Sequence, residues 1–210
     1  TEIEINATTI DINGAADVSG ALTAATVNGV GISFNITNFS QSLLISNDAG
    51  TGTLDAATNN TGLGFEVFDD LTSGDNNTGI GNQALTKVTT GIRNTAVGSL
   101  ALDALTTEND NTAVGHGALS AETTGFRNVA VGSFAGATQN TGTNNTLVGY
   151  LAGGLITTGD ANTIIGSDAG DALTTGSDNV AVGQNALGAA TTSSNNTAVG
   201  HDSLASNTTA

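Results

Sequence analysis

NTAVGSLALDALTTEND, residues 94–110, is the stretch on which the reading of this chain turns. Its opening pattern, Asn-[Thr/Val]-x-[Leu/Ile/Val]-Gly, starts at Asn60, Asn77, Asn94, Asn111, Asn128, Asn145, Asn162, Asn179 and Asn196, always 17 residues on. The fifth residue is always glycine: Gly64, Gly81, Gly98, Gly115, Gly132, Gly149, Gly166, Gly183 and Gly200. Residues 60–195 thus hold eight full units, and 196–210 most of a ninth. Position 4 is always apolar and mostly β-branched, position 8 is Ala in seven units, and positions 13 and 14 are usually Thr-Thr. Positions 15–17 collect Gly, Asp, Ser and Asn, which is turn chemistry.

Seventeen residues are too few for a helical hairpin repeat, which needs roughly 30 or more. They suit one coil of an all-β parallel β-solenoid, or β-roll. The expected coil has a strand over positions 2–4, a turn at the glycine, a second short strand near 7–10, and a polar return. Coils pairing in parallel at about 4.8 Å per step would make nine of them a rod roughly 40 Å long. Small position-8 side chains imply a narrow interior, and position 4, Val131 for example, is expected to point into it. Stacking places each Asn above the last, so the amides can form a hydrogen-bonded ladder. The glycines fit a turn with positive φ. Residues that recur in every coil serve the stack, whereas an active site would occupy one or two coils.

Residues 1–59 lie outside the array. IEIN (3–6) returns as IDIN (10–13), and SFNITNF and SLLIS within 33–59 read as strands. So few apolar residues cannot bury a core unaided, so this β-rich segment is expected to need partner chains.

Composition narrows function. Lys plus Arg number 3 against 19 Asp plus Glu, for a formal charge of −16. That lacks the basic footprint of nucleic-acid binding and repels anionic lipid. No apolar run is long enough to insert in a membrane as a helix. With no Cys there is no disulfide, cysteine nucleophile or Cys-zinc site. Six Phe, one Tyr and no Trp are too few to line the groove of a carbohydrate-processing enzyme. The mean hydropathy of +0.05 is high for a disordered acidic chain. Thr1 stands where an initiator Met would, so an excerpt or a processed chain is expected.

TEIEINATTIDINGAADVSGALTAATVNG (1–29) resembles the shaft entry segment of tailed-bacteriophage fibre proteins, most closely those of marine cyanophage type, and the 17-residue array resembles their repeat region. NTAVG is also similar to the N-x-x-x-G repeats in the head of trimeric autotransporter adhesins, left-handed parallel β-rolls whose unit is usually shorter, around 14 residues. The resemblance implies a left-handed homotrimer, with an intertwined β shaft (1–59) ahead of a nine-coil roll (60–210). It implies a rigid spacer for host attachment on the virion, joined to other fibre or baseplate proteins and facing a host surface glycan or protein. The alternative is an adhesin head on the bacterial surface. The family carries no catalytic residue or cofactor to transfer, so a non-enzyme is expected.

His116 and His201 share position 6 but lie five coils apart, roughly 24 Å, too far to share a metal. Arg93 and Arg127 share position 17 and are expected to pair with acidic turns of a neighbouring coil or chain. Asp75 and Asp160 at position 16, and Asp110 and Asp178 at position 17, skip coils at each position and lack the nine-residue calcium repeat, so they read as surface turns. Glu122 reads as a surface residue. Should any coil touch a receptor, Phe126, Arg127, Phe134 and Tyr150 are the first candidates, because binding hot spots favour aromatics and arginine.

Overall fold

The computed structural model describes residues 31–36, 39–46 and 54–208. The expected strands at 3–6 and 10–13 lie outside them. All regular structure among the described residues is β. Two longer strands come first, β1 (Gly31–Ile36) and β2 (Phe39–Ser46), then the two-residue β3 (Ala57–Thr58). Nine three-residue strands follow, one per coil: β4 (Thr61–Leu63), β5 (Thr78–Ile80), β6 (Thr95–Val97), β7 (Thr112–Val114), β8 (Val129–Val131), β9 (Thr146–Val148), β10 (Thr163–Ile165), β11 (Val180–Val182) and β12 (Thr197–Val199). Each occupies positions 2–4 and pairs in parallel with the same positions of the next coil, Thr95 with Thr112 and Val97 with Val114. The chain is a parallel β-solenoid with a 17-residue coil.

The array does not start its own sheet. β1 and β2 form an antiparallel hairpin, and β2 pairs in parallel with β4, Leu44 opposite Gly62. β2 is therefore the first rung. Ser42 stands below Asn60, and its hydroxyl oxygen accepts the Asn60 N–H at 2.8 Å. Leu44 closes the bottom of the core, so near that a Cβ on Gly62 would lie 2.7 Å from its Cδ1. This described part of the first 59 residues docks on the coil stack.

Strand parity corrects one expectation. Asn at position 1 is buried, and strand side chains alternate faces, so position 3 is the inward one. Ala96, Ala113, Ala130, Leu147, Ile164, Ala181 and Ala198 are all fully buried there. Position 4 faces out, and Val131 is 38% exposed. The side chain whose replacement by Asp would bury an unpaired carboxylate is thus Ala130.

The expected second strand is absent. Positions 6–11 are turns, with the left-handed conformation recurring at positions 7 and 9, as at Leu100 (φ 60°) and Leu102 (φ 50°). Alternating left-handed residues cannot lie in a pleated strand, where φ is uniformly negative. They send successive N–H groups in opposite directions along the stack: Leu100 N–H to Asn82 O in the coil before, Leu102 N–H to Ala118 O in the coil after. Backbone pairing between coils continues without a strand.

The interior is filled by positions 3, 8, 9 and 12, whose bulk trades off within the stack. Phe68 at position 9 sits with glycines at position 3, and a Cβ on Gly62 or Gly79 would come within 3.0 and 3.4 Å of its ring. Where position 9 is Gly, the space belongs to others: a Cβ on Gly153 would lie 2.7 Å from Ile156 Cδ1 and 2.9 Å from Leu147 Cδ2. Close packing requires this compensation, because a void or an overlap costs stability.

Candidate functional site

Two side-chain ladders run along the solenoid. In the first, each Asn Oδ1 accepts the backbone N–H of the Asn one coil on, at 2.9–3.1 Å from Asn77 to Asn196. The Nδ2 group donates across the coil to the position-15 carbonyl, as Asn111 does to Gly125 O at 2.9 Å. Direct amide-to-amide bonds join some neighbours, such as Asn179 to Asn162 at 3.0 Å. One amide therefore ties strand start, return turn and next coil together, with both of its own polar atoms bonded.

The second ladder, at position 16, was missed by sequence reasoning. In five coils a side-chain oxygen there accepts the position-16 N–H of the coil before, while Ile92 and Phe126 interrupt the run. Asp75 accepts from Thr58 N at 2.6 Å and Asp160 from Thr143 N at 2.6 Å, and each also takes the threonine hydroxyl at 2.9 Å. Asn109, Ser177 and Ser194 do the same for Ile92, Asp160 and Ser177. The signal was the Asp/Asn/Ser bias at that position, since these side chains bond nearby backbone. These acids serve the stack, and no group of three metal-ligating side chains exists among the described residues.

Glu122 corrects a second expectation: it is fully buried at position 12, where most coils carry Leu, Ile or Val. Its Oε1 accepts Gly125 N–H at 2.6 Å, and its Oε2 accepts Gln139 Nε2 at 2.8 Å and Asn128 Nδ2 at 3.3 Å. Gln139, buried one coil on, accepts in turn from Asn145 Nδ2 at 3.2 Å. Burial pushes the Glu122 carboxyl up to about 7, against hydrogen bonds that favour its charged form. This polar pair in an apolar stack has no access to solvent and is a structural feature.

The receptor candidates divide between two parts of the coil. Phe126 and Arg127 occupy positions 16 and 17, with the guanidinium carbon 5.1 Å from the ring centroid. Phe134 and Tyr150 lie at positions 7 and 6, beyond the strand. Phe134 packs edge-on against His116, centroids 4.9 Å apart, while Tyr150 is exposed. Arg93 reaches one coil on to Asp110, Nε to Oδ1 at 2.6 Å and Nη2 to Oδ2 at 2.9 Å. That pairing holds the Asp110 carboxyl below its usual range.

The most extended outward feature is the position-4 rank: Leu63, Ile80, Val97, Val114, Val131, Val148, Ile165, Val182 and Val199, each exposed or half-buried. β-Branched and aliphatic side chains thus form a continuous apolar stripe, one per rung, flanked by the Thr or Val at position 2. No protein-family model, curated protein or solved structure matches this chain.

Proposed function

We propose that the chain is a spacer segment of a homotrimeric bacteriophage tail fibre, a rod that sets reach for host attachment. The observation that carries this reading is the position-4 rank. A single solenoid leaves it in water along its whole length, whereas three copies around an axis hide it. The recurrent residues serve stacking, consistent with a part whose task is length and stiffness. The phage setting rests on the likeness of 1–29 and of the array to fibre proteins. The same NTAVG pattern favours an adhesin head as the second reading, and labelling virions against bacterial envelopes with an antibody to the array separates the two.

Deleting one coil tests the spacer role. Removing 94–110 leaves the Phe68 packing and the Glu122–Gln139 pair untouched. It should shorten the rod by about 4.8 Å, keep the following register, and leave host range unchanged on particles carrying it. Removing 16 residues instead should put each later Asn and Gly out of step and abolish assembly. A changed host preference with intact assembly would mean that the coils read the receptor.

A further inference from the structure

One recess departs from the repeat. It has a volume of about 330 Å³ and is lined by Phe134, Leu151, Leu155, Thr138 and Asp171 among others. Position 11 is small or polar in the other complete coils, but here it is Leu155, 52% exposed. Phe134 is held in place as the recess wall. Its ring lies over Gly117, where a Cβ would come within 2.9 Å of Phe134 Cδ1, and it makes a T-shaped contact with His116. Gly117 is the single glycine at position 7 in the array, so the seat for this ring is built at one coil only.

The charge at the recess is uncompensated from within the chain. Asp171 lines it, and burial together with the neighbouring Asp168 raises the Asp171 pKa. The sequence has 3 basic residues, and each is engaged elsewhere. Arg93 binds Asp110, Arg127 lies over Phe126, and Lys87 acts on Asp103. An apolar recess with an aromatic wall and a carboxylate at its edge complements a cation attached to a hydrocarbon.

We propose that this recess binds a small organic cation, an alkyl- or arylammonium, with its hydrocarbon on Phe134, Leu151 and Leu155 and its charged nitrogen toward Asp171. The recess is of small-molecule size, and its small flanking residues offer no broad apolar surface to a macromolecule. It lies on the turns after the strand, apart from the position-4 rank. Sites of this kind would also place a binding function in the middle of a spacer.

Calorimetric titration of the whole chain with phenethylammonium, phenethyl alcohol and phenylacetate tests this. Expected is saturable binding of the ammonium with a Kd near or below about 1 mM, at one site per chain, with the alcohol at least about tenfold weaker and no binding of the anion. Leu155→Ala and Asp171→Ser install residues that the array already uses at positions 11 and 10, at Ala121 and Ser120, so both variants should melt like the parent. Each should weaken ammonium binding at least about fivefold. Absence of saturable binding, equal binding of alcohol and ammonium, or parental affinity in both folded variants would overturn the proposal.

Discussion

Replacing Glu122 and Gln139 together by Leu should stabilise the protein by about 3 kcal/mol per chain at pH 8, and by little at pH 5. The Glu122 carboxyl titrates at about 7 in the folded chain against an ordinary 4.5. A raised folded pKa means that the native state holds the proton more tightly. The stability linked to it is complete below about pH 4.5 and is lost as pH rises through about 7. Wild-type stability should therefore fall between pH 5 and pH 8, and the double variant should lack this component. Leucine already fills position 12 at Leu71, Leu105 and Leu173. The Gly125 N–H need not be orphaned, because in two coils with an aliphatic position 12, Leu71 and Val88, the position-15 Gly74 and Gly91 donate to the position-13 carbonyl one coil on. Gln139→Leu alone should destabilise at pH 8, since it strips a donor from a buried carboxylate. Chemical denaturation across pH checks the set. Identical pH profiles for parent and double variant would contradict the assignment.

Gly132→Ala should be among the most damaging small substitutions, costing on the order of 3–5 kcal/mol per chain. Gly132 has φ of 140°, where a side chain is strained. Its added Cβ would also lie 2.2 Å from the Gly149 carbonyl oxygen of the next coil, so the coils must part. Gly200 separates the two causes. Its φ is 120°, but a Cβ there would meet nothing within 4 Å. Gly200→Ala should cost only the conformational part, about 1–2 kcal/mol. Equal melting shifts for the two variants would show that the close approach carries no weight.

Much of the fold was legible because repetition exposes what every coil needs. The 17-residue period, the strand over positions 2–4, the glycine turn and the narrow seat of Ala at position 8 all follow from residues that recur. The strand's parity does not, because an apolar position 4 reads as core. The buried neighbour was Asn at position 1, and once that amide is inside, alternation sends Val131 outward. The second strand failed because left-handed residues at positions 7 and 9, among them Leu102 and Leu119, leave no mark in composition: leucine rarely adopts that conformation unless stacking imposes it. Glu122 was misread because a charged residue is seldom fully buried, and its partner Gln139 is visible only one coil away. The first rung escaped because Ser42 replaces the ladder Asn 18 residues before Asn60, outside the strict period.

In the proposed fibre rod, the apolar position-4 rank is the contact between three chains. The mass of the assembled protein in native solution tests this most directly. Expected is a particle of three 20.5-kDa chains that persists on dilution to micromolar concentration. A folded, cooperatively melting monomer at that concentration, with the rank open to water, would contradict it.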